Sequence, residues 1–247
     1  IDMLNQNLFQ NKINIKLLLF IREDIINQIT DPDLNKIKRD GAIRLSWVDN
    51  PDDLKHIAEL RFQLTERDQE DCWDMIFPRE LKGKKSWDVL LEHTLYKPRD
   101  ILQFLCVCQE LYPDNAKLTF SEMKSAIKKY SCDYFIEEMK NELSGYISDI
   151  LINTLPSTFQ RLGSNSFTFE KMLQIINEQS NSKEYSEQDV RQLVLVLFES
   201  GYIGQLINTN YGKTSVVFKY RNPSAVIDYS EKMIIHRGIQ KGLSIIL

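Results

Sequence analysis

The hydrophobic pattern near the start of the chain is dominated by one nearly continuous apolar run, Ile13–Ile21. The run ends at Arg22, and two acidic residues, Glu23 and Asp24, follow it directly. A run of this kind, bounded by polar residues, is typical of a strand buried on both faces inside a parallel sheet. A shorter alternating run at 42–47 predicts a neighbouring strand. Because ligands of open α/β sheets bind beyond the carboxyl ends of the strands, Arg22 would stand where a bound phosphate is sensed.

Residues 73–147 have the apolar spacing of a helical bundle. Pro98 suits a first helical position, and Thr119 with Glu122 forms a capping box. Ser131 predicts the start of a further helix. The apolar stripes could alternatively line a ligand pocket, but any bundle core needs this spacing, so we favour core packing.

Residues 148–220 predict three helices followed by a β-hairpin, which is the order of elements in a winged helix. The third helix begins at a capping box, Ser186–Asp189, and ends at Gly201. An Asn- and Gly-containing turn at 208–212 joins the two strands of the hairpin. The tail after residue 220 predicts one short helix.

The fold class predicted from these patterns is α+β and mostly helical. It combines the edge of a P-loop α/β sheet, a helical lid bundle and a winged helix. The predicted divisions are 1–72 for the end of a P-loop core, 73–147 for the lid, 148–220 for the winged helix and 221–247 for the tail helix.

Composition narrows the functional classes. The formal charge of −4 argues against a protein that coats nucleic acid non-specifically. The four cysteines do not form C-x-x-C motifs, and as reduced core residues they predict a cytoplasmic protein. No apolar run reaches the length of a membrane span, which is about 18 residues, so no membrane partner is expected. The chain opens within a helical pattern and without methionine, and we expect it to be a fragment of a longer protein.

No motif in this sequence can hold a nucleotide phosphate or a metal by itself. A P-loop needs clustered glycines followed by lysine and a hydroxyl residue, and the nine glycines here are scattered. The three histidines have no cysteine or acidic residue at metal-ligand spacing, so no metal site is predicted. His236 is expected to be a surface or interface residue.

The presumed recognition helix of the winged helix is poorly suited to DNA. Acidic residues slightly outnumber basic ones across 148–220, and phosphate contacts supply most non-specific affinity. Arg191, Lys213 and Lys219 are the candidate contacts to nucleic acid or to a partner protein. DNA binding is therefore disfavoured, and a packing or partner-binding winged helix is preferred.

Several short segments, taken in order, resemble the C-terminal half of bacterial P-loop ATPases of the AAA/STAND kind, including a group associated with phage defence. The segments that carry the resemblance are Leu17–Ile25, Pro32–Ile37, Pro98-Arg99-Asp100, Tyr130-Ser131 and His236-Arg237-Gly238. The resemblance covers nearly the whole chain, although the Walker A and Walker B motifs of that family are absent from it.

The resemblance implies a nucleotide-sensing role for three residues. Arg22, with Asp24 beside it, would contact the γ-phosphate of ATP held by an N-terminal ATPase half of the same protein. Arg99 looks like a lid arginine, at a helix N-terminus that itself favours anions. The alternative for Arg22 is an ion pair with a neighbouring acid, and for Arg99 a pair with Asp100 or Asp88.

The resemblance also implies that ATP and Mg²⁺ belong to the longer protein and that this chain alone binds neither. No catalytic residue is predicted here, and the chain alone should be inactive. The leading hypothesis is therefore a lid and winged-helix portion that couples the ATP state to an effector protein or to homo-oligomer assembly. The alternatives are a non-enzymatic winged-helix regulator that binds nucleic acid, and a purely structural interaction module.

Overall fold

The computed structural model of the protein describes residues 2–21, 25–26, 29–62, 72–180, 185–208 and 214–245. It divides into two compact units, Ile1–Ser46 and Trp47–Leu247. The predicted class, α+β and mostly helical, is confirmed. Within the described ranges, no helix is both long enough and apolar enough to cross a membrane.

The first unit includes the helices α1 (Asp2–Gln10) and α2 (Leu34–Gly41). The stretch 13–21 that follows α1 forms no strand, and its apolar side chains face solvent. Leu18 is 71% exposed and Phe20 is 84% exposed. Asn5 of α1 holds this stretch, because its side chain accepts from the Leu17 N–H at 2.8 Å and donates to the Leu17 carbonyl at 3.0 Å.

The prediction of a buried strand is therefore wrong for residues 13–21, and the prediction of a neighbouring strand at 42–47 is wrong as well. A strand is defined by its pairing, and no residue in the described ranges pairs with either segment. An apolar run shows that a segment is hydrophobic, but it does not show whether the segment pairs with another strand. The predicted edge of a P-loop sheet is thus not formed by the described residues, and Arg22 and Asp24 lie outside them.

The second unit is built mainly from helices. Its helices are α3 (Pro51–Arg61), α4 (Cys72–Ile76), α5 (Ser86–Leu91), α6 (Pro98–Leu111), α7 (Phe120–Tyr130), α8 (Ile136–Leu143), α9 (Asp149–Leu162), α10 (Phe169–Gln179), α11 (Glu187–Glu199) and α12 (Arg237–Leu243). Its strands are β1 (Glu80–Leu81), β2 (Lys84–Lys85), β3 (Ser166–Phe167), β4 (Ile203–Asn208), β5 (Thr214–Val217) and β6 (Met233–Ile235).

Local sequence signals explain where these helices begin. Pro98 occupies the first turn of α6, where its missing N–H costs no hydrogen bond. Both predicted capping boxes are confirmed. Thr119 and Glu122 exchange hydrogen bonds at the start of α7, and Ser186 and Asp189 do so at the start of α11.

The predicted start of a separate helix at Ser131 is wrong. Instead, a π-helical turn, Ser131–Phe135, joins α7 to α8 without interruption. Ser131 is fully buried, so it lies inside the core and cannot act as an exposed cap. Gly242 of α12 approaches this turn so closely that a Cβ there would lie 3.1 Å from the Ser131 carbonyl oxygen. The widened turn therefore lies where α12 docks.

Four strands form one antiparallel sheet in the order β3-β6-β4-β5. The predicted hairpin is confirmed as β4 and β5, and the three preceding helices are confirmed as α9, α10 and α11. Strand β6, which was not predicted, aligns Ile235 with Ile203 of β4 and Met233 with Phe167 of β3. The tail after residue 220 therefore adds strand β6 between β3 and β4 before it forms the predicted helix α12.

An aromatic cluster ties this tail to the helical bundle. The Phe135 ring stacks on His236 at 5.0 Å between centroids and meets Tyr202 edge-on at 5.4 Å. Tyr130 lies 6.1 Å from Phe135 and 6.3 Å from Phe104 of α6. All five side chains are at least 99% buried, so helices, sheet and tail share one core.

Candidate functional site

The start of α6 carries Asp100, a carboxylate that is only 2% exposed. One of its oxygens accepts the Leu95 N–H at 2.7 Å, and the other accepts the Tyr134 hydroxyl at 3.4 Å. Burial raises the pKa of Asp100 to about 6, although these hydrogen bonds act in the opposite direction. The carboxyl group thus holds the loop before α6 in place through the Leu95 N–H. Its pKa of about 6 lies near neutral pH.

Arg99 lies next to this buried acid but points outward. Its side chain is 70% exposed and forms an ion pair with Glu138 of α8 at 3.1 Å. Arg99 therefore pairs with neither Asp100 nor Asp88, the two acids that the sequence offered as alternative partners. Exposed pairs of this kind contribute only about 0–1 kcal/mol, so the guanidinium can exchange partners at little cost.

Three tyrosines surround the buried acid. Tyr134 donates to Asp100, and the hydroxyls of Tyr130 and Tyr202 are buried without a hydrogen-bond partner among the described residues. Burial raises the pKa of each of the three, and the charge of Asp100 adds to the effect. Buried hydroxyls without a hydrogen-bond partner are costly, so this cluster of tyrosines lowers the stability of the core around Asp100.

His236 and Arg237 follow strand β6. His236 is 1% exposed, which corrects the expectation of a surface residue. Its Nδ1 accepts the Gly238 N–H, so the proton of the neutral ring is on Nε2, 3.2 Å from the Tyr220 hydroxyl. Burial lowers its pKa to about 3. The ring is therefore a neutral helix cap, whereas the exposed Arg237 forms an ion pair with Glu92.

Two of the three candidate nucleic-acid contacts, Arg191 and Lys219, are engaged within the protein. Arg191 pairs with Glu187 at 2.6 Å, and its guanidinium lies 4.9 Å from the Phe169 ring centre and 4.5 Å from that of Tyr229. Lys219 pairs with Glu199 at 3.2 Å. Lys213 lies outside the described residues.

No group of three or more metal-ligating side chains occurs within the described ranges. The four cysteines are unpaired thiols. Cys108 is buried, and burial raises its pKa to about 12, whereas Cys106 is exposed and does not fit the core role expected for it.

Comparison with known proteins gives two likenesses. Residues 52–137, which run from the second residue of α3 through α7, match the family described as the FunZ-associated C-terminal helical domain. The putative transposon gamma-delta 80.3 kDa protein of Escherichia coli (strain K12) is 24% identical over 249 residues. That alignment covers 94% of this chain and 35% of the relative, so the chain spans about a third of its length. No solved structure matches.

Proposed function

We propose that this chain is the lid and winged-helix portion of a larger P-loop ATPase, and that it couples the ATP state of the longer protein to a partner or to assembly. The observation that carries the proposal is Arg99, an exposed arginine in the first turn of α6 with one weak, exchangeable partner. An arginine offers a fixed fork of donors, which suits a phosphate better than a lysine does.

The contacts of Glu138 supply a route for the coupling. When Arg99 turns to a phosphate, Glu138 loses its ion pair, and its negative charge remains near Tyr134, which donates to Asp100. Glu138 belongs to α8, which packs against α9 and α11 of the three-helix and hairpin region. If ATP binds the protein more tightly in one arrangement of α8 than in another, ATP shifts the populations of these arrangements. The shift then reaches both the helical bundle and the three-helix and hairpin region.

The comparisons bear on one part of the proposal, which is that the chain is a portion of a longer protein. The matched family is described as a C-terminal helical domain, and the relative is long enough to contain a further domain outside the aligned third. The sensing roles of Arg22 and Asp24, Mg²⁺ in the longer protein, and a role in phage defence belong to the same proposal.

The experiment is ATP hydrolysis by the longer protein, comparing Arg99→Ala with Arg79→Ala. Arg79 is a matched control because it is also an exposed arginine of the helical bundle and pairs with one acid, Asp74, at 3.3 Å. Loss of a phosphate contact should lower kcat/KM by about tenfold or more in Arg99→Ala, whereas Arg79→Ala should retain it. Equal activity of both variants, or no hydrolysis by the longer protein, would contradict the proposal.

The alternative, a nucleic-acid-binding regulator, has weaker support because its candidate contacts are held more firmly than Arg99. The Arg191 guanidinium lies against the Phe169 and Tyr229 rings in addition to its ion pair, and the Lys219 side chain is only 22% exposed. It predicts duplex binding by this chain with a steep salt dependence that Arg191→Ala reduces. Our proposal predicts no such binding.

A further inference from the structure

A groove of about 690 Å³ lies on the second unit between the β1–β2 turn, α5, α7 and α12. Its floor is apolar and includes Leu81, Val89 and Ile127. Phe120, the first residue of α7, lines the groove with 41% of its surface exposed. The size and the apolar floor are those of small-molecule sites.

The charge around this groove is one-sided. Six cationic side chains line it, whereas Glu92 is the one acid among the described lining residues. The six are Lys82, Lys84, Lys124, Lys128, Arg237 and Lys241. Lys84 and Arg237 share the Glu92 carboxylate, which therefore offsets part of the charge of these two alone.

The other four lysines, Lys82, Lys124, Lys128 and Lys241, form no ion pair with any residue in the described part of the chain. The pKa of Lys241 is lowered, first by burial and then by the charges of the other three. Like charges this close repel one another, so the groove holds a positive potential that an anion would relieve.

Three separate elements bring these lysines together. Lys82 is in a left-handed conformation with φ of 52°, and Gly83 follows it with φ of 77°, so the turn between β1 and β2 presents the side chain. Lys124 and Lys128 lie one helical turn apart on the same face of α7. Lys241 projects from α12, whose position is fixed by the close approach of Gly242 to Ser131.

We propose that this groove binds a nucleoside polyphosphate, with the phosphates among the four lysines and the base against Phe120 and the apolar floor. A single strand of nucleic acid fits less well, because the next lysine on α7, Lys129, is already paired with Asp133. An acidic peptide carries a planar ring only if its sequence includes an aromatic residue, whereas every nucleoside has a base that can lie against the exposed ring of Phe120. This site is separate from the nucleotide sensed through Arg99, and it does not depend on the function proposed above.

The test is calorimetric titration of this chain with ATP, with inorganic tripolyphosphate, with a single-stranded oligonucleotide and with an acidic peptide. We expect saturable one-to-one binding of ATP that is tighter than that of the other three ligands. The double substitution Lys124→Gln/Lys128→Gln should weaken ATP binding by about tenfold or more, since each loses a charge-assisted contact. Phe120→Ala should weaken ATP binding and leave tripolyphosphate binding unchanged.

Lys129→Gln is the matched control, because it removes the same charge from the same helix outside the groove. It should bind ATP like the unmodified chain, and circular dichroism should show that all variants keep their helix content. The proposal is overturned if the chain does not bind ATP, if tripolyphosphate, the oligonucleotide or the acidic peptide binds as tightly, or if the control weakens binding as much as the double variant. Because the titration uses this chain alone, its failure leaves the role of Arg99 in the longer protein untouched.

Discussion

Replacing Asp100 by asparagine should change how stability depends on pH. The pKa of Asp100 is raised from its ordinary value of 3.8 to about 6, mainly by burial. Between these values the native state binds more protons at this site than the unfolded state does. The contribution of Asp100 is therefore fully present below pH 3.8 and is lost as the pH rises through 6. Asparagine keeps an oxygen for the Leu95 N–H but cannot ionise.

The structure sets the size of the effect. A pKa raised from 3.8 to about 6 corresponds to about 3 kcal/mol between fully protonated and fully ionised carboxyl groups. Over the experimentally convenient interval from pH 5 to pH 7.5, the same relation gives a loss of about 1.4 kcal/mol. At pH 7.5 the variant avoids a buried charge, so it should be at least as stable as the unmodified chain.

The assay is urea unfolding at several pH values, followed by the fluorescence of the buried Trp73 and Trp87. The quantity of interest is the unfolding free energy of the unmodified chain minus that of Asp100→Asn, because other titrating groups cancel in this difference. We expect the difference to fall by about 1.4 kcal/mol from pH 5 to pH 7.5. A difference that is constant, or that rises with pH, would refute the reasoning about the buried carboxyl group.

Three further predictions concern stability. Gly238→Ala should lower the unfolding free energy by about 1–3 kcal/mol in urea titrations, because a Cβ would lie 2.6 Å from the Phe135 ring; an unchanged midpoint would contradict this. In the Asp100→Asn background, stability should fall from pH 7.5 to pH 5 by about 2 kcal/mol for each buried histidine, because burial lowers the pKa of His93 to about 4 and of His236 to about 3. The unfolded rings take up protons in this interval and the native ones do not, so a curve without a fall towards acid would be incompatible with neutral buried rings. Arg99→Ala should change stability by less than about 1 kcal/mol in the same assay, since its ion pair is exposed, and a larger loss would indicate a structural role.

The parts of the fold that could be predicted from the sequence are those with local physical causes. Pro98 removes one free N–H group from a helix start, and the two capping boxes satisfy such groups within four residues. The sequence alone therefore indicates where α6, α7 and α11 begin. The hairpin of β4 and β5 follows equally from its turn residues.

The errors have tertiary causes. The run 13–21 looked like a strand because a single sequence does not show whether a partner strand exists. Strand β6 has three residues and β3 has two, too few for a period to be visible. Serine is a common helix cap, but contacts with α12, near the end of the chain, keep the backbone of Ser131 helical.

The sites depend on the same distant contacts. The burial of Asp100 requires Tyr134 and the rest of the core around it, whereas the sequence shows only an acid in a first helical turn. The lysines of the basic groove come from positions 82, 124, 128 and 241, and no spacing rule connects them. Arg99 could be selected from the sequence because its helix start is a local signal, but its partner Glu138 could not.

Amide hydrogen exchange in the longer protein, measured with and without ATP, tests the coupling most directly. If Arg99 releases Glu138 to contact the nucleotide, ATP should change exchange at the start of α6 and along α8, and the change should continue into α9 and α11. The Arg99→Ala variant should lose the change in α8, α9 and α11. ATP-dependent changes confined to the ATPase half, or unaltered in Arg99→Ala, would contradict the account.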